Sequence, residues 1–254
     1  MKNKYRSIFI SDIHLGTKDC KAEILCDFLK YNSANTIYLV GDIVDGWKIQ
    51  KNKWKWKKSH TNVIRNLLNH SKKGSRIVYV AGNHDEFLRP MVPYGISFGK
   101  IEIVNKICHI GVDGQRYLVV HGDIFDGISS IAPWLNYLGD TAYDLLLRLN
   151  TKYNWIRHKF GFGYWSFSKY LKHKVKGAVD FIFQFEKNIT DYCRRKYYDG
   201  VICGHIHNAE IKTVNGIVYM NDGDWVESCT ALVEHFDGRF EIISWSLTTN
   251  IIEE

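Results

Sequence analysis

Residues Ile37–Asp45 read Ile-Tyr-Leu-Val-Gly-Asp-Ile-Val-Asp. Four apolar, β-prone residues make a short buried-strand pattern. Gly41 ends the strand and lets the backbone turn sharply. Asp42 follows at once, at the carboxyl end, where open α/β sheets place ligands. Taken alone, Gly-Asp after a strand is ordinary turn chemistry. A buried strand delivering a carboxylate to one fixed point is also a way to hold a cation. The flanking sequence decides between these readings.

On the N-terminal side, Tyr5–Ile10 is an apolar strand ending in Ser11-Asp12-Ile13-His14, and Lys21–Tyr31 has helical spacing at Ile24, Leu25, Phe28 and Leu29. On the other side, a Lys/Trp-rich stretch leads into a predicted helix to about His70, and the strand Arg76–Val80 is closed by Gly82-Asn83-His84-Asp85. Strands alternating with helices at this spacing predict an α/β layered fold. Ile101–Val120 reads as short strands around a turn at Val112-Asp113-Gly114 and ends in His121-Gly122-Asp123. A long helical region follows, from about Ile131 to Tyr198. Gly200–Cys203 is then a strand ending in Gly204-His205-Ile206-His207, and the remainder reads as β-hairpins with turns at 214–216 and 236–239.

Strand-type runs thus end five times in polar clusters: Asp12-x-His14, Asp42, Asn83-His84, His121 and His205-x-His207. Carboxylate, imidazole and amide oxygen without sulfur suit Mn, Fe or Zn. Residues two apart on a strand point the same way, so Asp-x-His and His-x-His each present two ligands to one centre or to adjacent centres. Any one of these clusters could be a turn or a hydrogen-bonded histidine. Five in this order are hard to obtain by chance.

The order Asp-x-His, Gly-Asp-x-x-Asp, Gly-Asn-His-Asp, His-Gly-Asp and Gly-His-x-His, intact from Ser11 to His207, resembles the calcineurin-like metallophosphoesterase superfamily. The resemblance implies a four-layer α/β/β/α sandwich with a dinuclear site at one end of the sheets. One metal would take Asp12, His14 and His207. The other would take Asn83, His121 and His205, with Asp42 bridging. Such metals sit ~3.5–4 Å apart and serve an in-line displacement by a hydroxide that they generate. His84 would act catalytically beside them, stabilising the phosphoryl oxygens or protonating the leaving oxygen. Asp45 and Asp85 would orient ligands, with ordinary turn aspartate the competing reading for Asp45.

At 254 residues, with 45% hydrophobic and 24% charged, the chain reads as one metallophosphoesterase domain, 1–254, with a helical cap inserted at about 128–198. Its six cysteines form no C-x-x-C pair and suggest neither a zinc site nor a disulfide framework. Ser7–Ile10 is too short for a signal-peptide core, and no run approaches the ~18–20 apolar residues of a membrane span. The expectation is a soluble cytoplasmic protein.

The net charge of +7 is local. Eight Lys/Arg and no acid lie between Leu145 and Val179, interleaved with aromatics such as Trp155, Phe160, Trp165 and Tyr170. This region fits a packed helical subdomain with a solvated basic face. It also fits a cap that buries lipid chains on an anionic membrane surface, or a surface for nucleic acid. The run Lys48–Lys58, with Trp47, Trp54 and Trp56, holds six lysines and no acid. It fits either the solvated start of a helix or a surface attracting phosphates or anionic lipid.

A helical cap between His-Gly-Asp and Gly-His-x-His is similar to that of the UDP-2,3-diacylglucosamine pyrophosphohydrolases. That resemblance implies release of UMP and 2,3-diacylglucosamine 1-phosphate in lipid A synthesis. It also implies Mn as the usual metal, peripheral contact with the inner membrane, and a substrate-binding role for Lys176. Those enzymes carry Arg where this chain has His84. A histidine acid suits esters with poorer leaving groups, so a different lipid or nucleotide substrate is open. A nuclease or cyclic-nucleotide phosphodiesterase would use the same metal core. A non-catalytic scaffold would normally lose ligands, and here all seven positions are filled. Asp224-Trp225-Val226-Glu227 is expected to shape the pocket wall.

Overall fold

The computed structural model describes residues 3–51, 53–95, 97–98, 100–126 and 167–246; for 98 and 167–178 it describes the backbone alone. By contacts the chain divides into two compact units, Met1–Phe125 with Asn188–Glu254, and Asp126–Lys187. The fold described below is that of the first. Much of the insertion expected at 128–198, namely 128–166, lies outside the described residues.

Among the described residues the strands form two sheets. The larger has the order β12-β11-β1-β2-β3-β5-β4. Its members are β1 (Asn3–Ile10), β2 (Asn32–Val40), β3 (Arg76–Val80), β4 (Ser97–Phe98), β5 (Ile101–Val104), β11 (Thr230–Glu234) and β12 (Phe240–Ser244). The smaller has the order β6-β7-β8-β10-β9, from β6 (Lys106–Ile110), β7 (Arg116–Val120), β8 (Gly200–Cys203), β9 (Glu210–Val214) and β10 (Ile217–Asn221). Strands β1, β2 and β3 are parallel, with Ile8 opposite Ile37 and Ile37 opposite Ile77. Strands β7 and β8 are parallel, with Val119 opposite Ile202. These registers bring the carboxyl ends of the parallel strands level, and those ends carry the motifs.

Alternation along the strands builds two core layers. Phe9, Tyr38, Val40, Val78 and Val80 point inward and pack with Tyr117, Val119, Ile202 and Met220 of the other sheet. Phe9 stacks on Tyr38 with ring centroids 4.7 Å apart. The alternate residues Ile8, Ile10, Ile37, Leu39 and Ile77 form the opposite face. They are covered by Leu25 and Phe28 of α1 (Ala22–Tyr31) and Val63 and Leu67 of α3 (Lys58–Lys72). Burial of each such side chain stabilises by about 1.5–3 kcal/mol. On the smaller sheet, the last turns of α4 (Phe167–Arg195) approach the outer side: Tyr192 accepts a hydrogen bond from Lys106 of β6 at 2.7 Å, and Ile189 and Cys193 are buried. The architecture is the layered α/β sandwich expected.

Three features were not expected. A short helix, α2 (Gly46–Gln50), follows the Asp42 loop, capped by the Asp45 carboxylate on the Lys48 N–H at 2.8 Å. Glu86–Tyr94 is a 3₁₀ helix containing Pro90 and Pro93. Trp225 does not line a pocket wall: it is fully buried against Phe28, while Asp224 accepts the N–H groups of Val226 and Glu227 and so fixes the turn.

Candidate metal centre

The motif residues lie just past the strand ends. Beyond Ile10 and Val40 the two chains stay in register as loops. The N–H of Asp12 donates to Gly41 O at 3.1 Å, that of His14 to Asp42 O at 2.9 Å and that of Leu15 to Ile43 O at 2.9 Å. The shared-face argument for Asp-x-His and His-x-His therefore needs correction, because neither pair is in a strand. Asp12, His14, Asp42, His205 and His207 all have left-handed backbone, with φ of 49°, 51°, 56°, 71° and 53°. Non-glycine residues adopt this region rarely, and clusters of them mark functional sites. The ligand types are aimed by strained loops anchored to a rigid double sheet. Gly82 makes the convergence possible, because a Cβ there would collide with the Asp42 carboxylate and with its backbone nitrogen at 2.6 Å.

Asp42 sits at the middle. One carboxylate oxygen accepts the His84 N–H at 2.8 Å and lies 3.4 Å from His121 Nε2; the other is 3.9 Å from Nε2 of both His14 and His84. Asp12 Oδ1 is 3.1 Å from His207 Nε2 and 3.8 Å from His14 Nε2, while its Oδ2 accepts the His205 N–H at 2.8 Å. His121 Nδ1 lies 2.9 Å from Val40 O, which fixes the protonated nitrogen there and leaves Nε2 facing Asn83 Oδ1 at 3.2 Å and Asp42. The His205 ring meets that of His121 edge to face, with centroids 5.0 Å apart. The seven residues predicted as ligands are thus gathered, with Asp42 between the Asp12–His14–His207 group and the Asn83–His121 side. The Lys176 side chain lies outside the described residues.

The surrounding residues fix this arrangement. Asp45 Oδ2 is 3.7 Å from His14 Nδ1 and 3.3 Å from His84 Nδ1, so it faces both rings. Asp85 accepts from Gly82 N at 2.5 Å, Ile43 N at 2.8 Å and Tyr79 Oη at 2.6 Å, tying the Asp42 loop to the Asn83 loop. Two partners escaped the sequence reading. The Ser11 hydroxyl lies 2.6 Å from Asp12 Oδ2 and 2.5 Å from Asp222 Oδ1, with Asp222 buried beneath. The Trp47 indole lies against His84, with centroids 4.0 Å apart and the rings tilted by 33°. Only the neighbouring Asn221-Asp222-Gly223 turn, after a strand, resembled the other motifs.

The electrostatics require positive charge. Burial disfavours ionised Asp12 and Asp42, yet the His207 charge holds Asp12 well below the usual carboxylate range, and His121 holds Asp42 at about 2. Burial likewise opposes charged imidazoles, but Asp12, Asp45 and Asp42 raise His14 to about 10, and Asp42 holds His121 well above its ordinary value. Without cations, imidazolium takes their place. The donor set fits divalent metal ions. Asp12–His14–His207, Asp12–Asp42–His121 and His14–Asp45–His84 each place three ligand atoms within 4.8 Å of one another. Several pairs stand at 3.4–3.9 Å, too far for hydrogen bonds and suited to a cation between them.

The sequence model of one family, Calcineurin-like phosphoesterase, matches residues 5–209. The chain belongs to the calcineurin-like phosphoesterase family. The gathered donor set is of the type that could hold divalent ions. It is similar to a DNA polymerase II small subunit of Methanothermobacter thermautotrophicus, 28% identical over 172 residues, 55% of this chain and 34% of that protein. The chain spans about a third of that relative's length. Similar solved structures include Yfce, a phosphoesterase from E. coli, at 14% identity and TM-score 0.43, covering 94% of this chain and 99% of that one. A novel archaeal phosphodiesterase (12%, TM-score 0.43, 94% and 98%) and a Vps29 single mutant from Entamoeba histolytica (15%, TM-score 0.43, 94% and 99%) are also similar. Among the described residues of this family member, no helix is long and apolar enough to cross a membrane.

Proposed function

We propose that this calcineurin-like phosphoesterase hydrolyses the pyrophosphate of a nucleotide-linked lipid, with UDP-2,3-diacylglucosamine as the first substrate to test. The observation that supports the chemistry is the placement of Asp42, whose two oxygens face His121 on one side and His14 on the other. Asp12, His14 and His207 would hold one ion, Asn83, His121 and His205 the second, and Asp42 would bridge. Such a pair, Mn being the usual choice in the similar enzymes, would supply a hydroxide at neutral pH and neutralise phosphoryl charge. The chain's own residues do the rest. Val40 O and Asp45 orient the His121 and His14 rings. His84 keeps Nε2 toward the centre, with Asp45 at its Nδ1 and Trp47 against its ring, placed to donate to the departing oxygen. Support for the lipid substrate is the motif order together with the inserted basic, aromatic segment, within which Lys176 is proposed as a substrate contact.

The test is turnover with Mn, Fe and Zn in turn. UMP release from UDP-2,3-diacylglucosamine, lost in Asp42→Ala, is the expected result; no turnover with any of the metals would sink the proposal. A second reading rests on the Asp45–His84–Trp47 arrangement, since a positioned acid helps alkoxide leaving groups more than sugar phosphates. Cleavage of single-stranded DNA or a cyclic nucleotide, with the lipid nucleotide untouched, would favour that phosphodiesterase.

A further inference from the structure

Asn83 and His121 reach the centre from different sheets. Asn83 follows β3, which ends at Val80 in the larger sheet, and His121 follows β7, which ends at Val120 in the smaller. Asp12 and Asp42, in contrast, both leave the larger sheet. Their loops are joined backbone to backbone, through Asp12 N to Gly41 O at 3.1 Å and His14 N to Asp42 O at 2.9 Å. Ladder hydrogen bonds fix neighbours within a sheet. The gap between two packed sheets is set by side chains instead. The spacing of Asn83 and His121 therefore needs a side chain that crosses.

Arg89 crosses there. Its Nη2 donates to both Asp123 oxygens, at 2.8 and 2.7 Å, and to Ala81 O at 3.3 Å. Ala81 lies two residues before Asn83, and Asp123 two residues after His121. One nitrogen thus grips the root of each loop. The neighbouring Leu88 is buried with Ala81 and Ile103, which seats the 3₁₀ helix that carries Arg89. The grip has a cost: Arg89 Nε is buried and finds no acceptor among the described residues. An unpaired buried donor destabilises a fold, so its retention calls for a reason.

Stability is a poor reason, as a second ion pair shows. Arg76 and Glu102 meet at 2.6 Å, but their side chains are 52% and 47% exposed and they join β3 to β5, which are already paired in one sheet. Such a surface pair contributes little. Arg89 and Asp123 are 30% and 12% exposed, and they join elements of different sheets. We propose that Arg89 is a positioning residue: through Asp123 and Ala81 it holds Asn83 and His121 at the spacing that binds the second metal ion. The inference rests on the reading of Asn83 and His121 as ligands of that ion.

The test titrates Mn²⁺ into metal-free, full-length protein. Electron paramagnetic resonance follows the free ion and the exchange-coupled signal of a close pair. Wild type should bind two ions and show the coupled signal. Arg89→Met should keep the first ion and bind the second about 10–100-fold more weakly. Asp123→Asn, which preserves shape, should do the same and carries the test if Arg89→Met folds poorly. The double variant should be no weaker than either single one, because all three lose the same bond. Arg76→Met should titrate like wild type. Hydrolysis of a soluble bis-aryl phosphate by Arg89→Met should recover its kcat as Mn²⁺ is raised, whereas loss of a guanidinium that touches substrate would leave kcat low at any metal concentration.

Four results would overturn the inference: an unchanged second affinity in Arg89→Met, equal weakening of both ions, additive losses in the double variant, or low kcat with both ions bound. Wild type that binds fewer than two ions would overturn the two-ion reading and this inference with it. Two ions bound equally well by wild type and Arg89→Met would overturn this inference alone.

Discussion

Two clusters in this fold bury carboxylates beside histidines, and they are built differently. In the first, fully buried Glu234 is bonded by Arg6 Nη1 at 2.6 and 2.7 Å, by His109 Nε2 at 3.0 Å and by the Val112 N–H at 3.2 Å; His109 Nδ1 in turn meets Tyr38 Oη at 3.1 Å. Every charge there has a protein partner at bonding distance. In the second, Asp12 and Asp42 face four imidazoles, several across 3.4–3.9 Å, from loops in left-handed backbone. The first cluster is closed and joins β1, β6 and β11. The second is open and strained, and its donors are of the type that a cation would complete. Buried charge that stabilises and buried charge that works are told apart by whether the protein itself fills the coordination.

That contrast can be broken at several points. Asp42→Ala is expected to have the largest effect on activity, lowering phosphodiester hydrolysis by more than the ~10–100-fold typical of residues that only support ligands, with loss of the second metal in a binding titration. Glu234→Ala should do the reverse. It strands Arg6 and His109, costs about 3–5 kcal/mol in a denaturant melt and leaves kcat per folded molecule unchanged. A Glu234 variant that loses metal, or an Asp42 variant that keeps it, would erase the distinction.

Metal removal should separate the clusters next. Chelation should lower the melting temperature, and added metal at about a hundred times its dissociation constant should restore ~2.7 kcal/mol in wild type but much less in Asp42→Ala. Two pH effects should follow. The His109 and Arg6 partners lower the Glu234 pKa against the effect of burial, so its contribution is present above the ordinary value near ~4.3 and fades as pH falls through the depressed one. His14 is raised to about 10, so in metal-free protein its stabilising charge is complete below ~6.5 and lost as pH rises toward 10. Metal-free protein should therefore weaken on the alkaline side in thermal melts, and metal-loaded protein should not, because ligation requires neutral imidazole. The smallest effect is expected for Asp45→Asn, about 10-fold to 100-fold in kcat with KM little changed, because it faces His14 and His84 without being one of the seven candidate ligands.

Much of the centre was legible in the linear order. Strand-type runs followed by Asp, His and Asn supplied both the α/β layering and the seven candidate ligands, since apolar runs and turn glycines are local signals. The reason given for the paired motifs was local too, and there it failed: the period of a strand does not apply past Ile10 and Cys203, where the chain has entered left-handed loops. Asp224-Trp225 looked like a pocket wall because the sequence shows a polar turn but not the Phe28 ring that covers the indole.

By itself, then, the amino-acid sequence determined which residue types stand at the strand ends and which family they belong to. Only the tertiary structure decided that Asp42 faces both groups of candidate ligands and that Ser11 ties Asp222 to Asp12. The physical reason is one of range. Strand and turn propensities act over a few neighbours, whereas a carboxylate's surroundings are set by chain segments that meet only when the two sheets close.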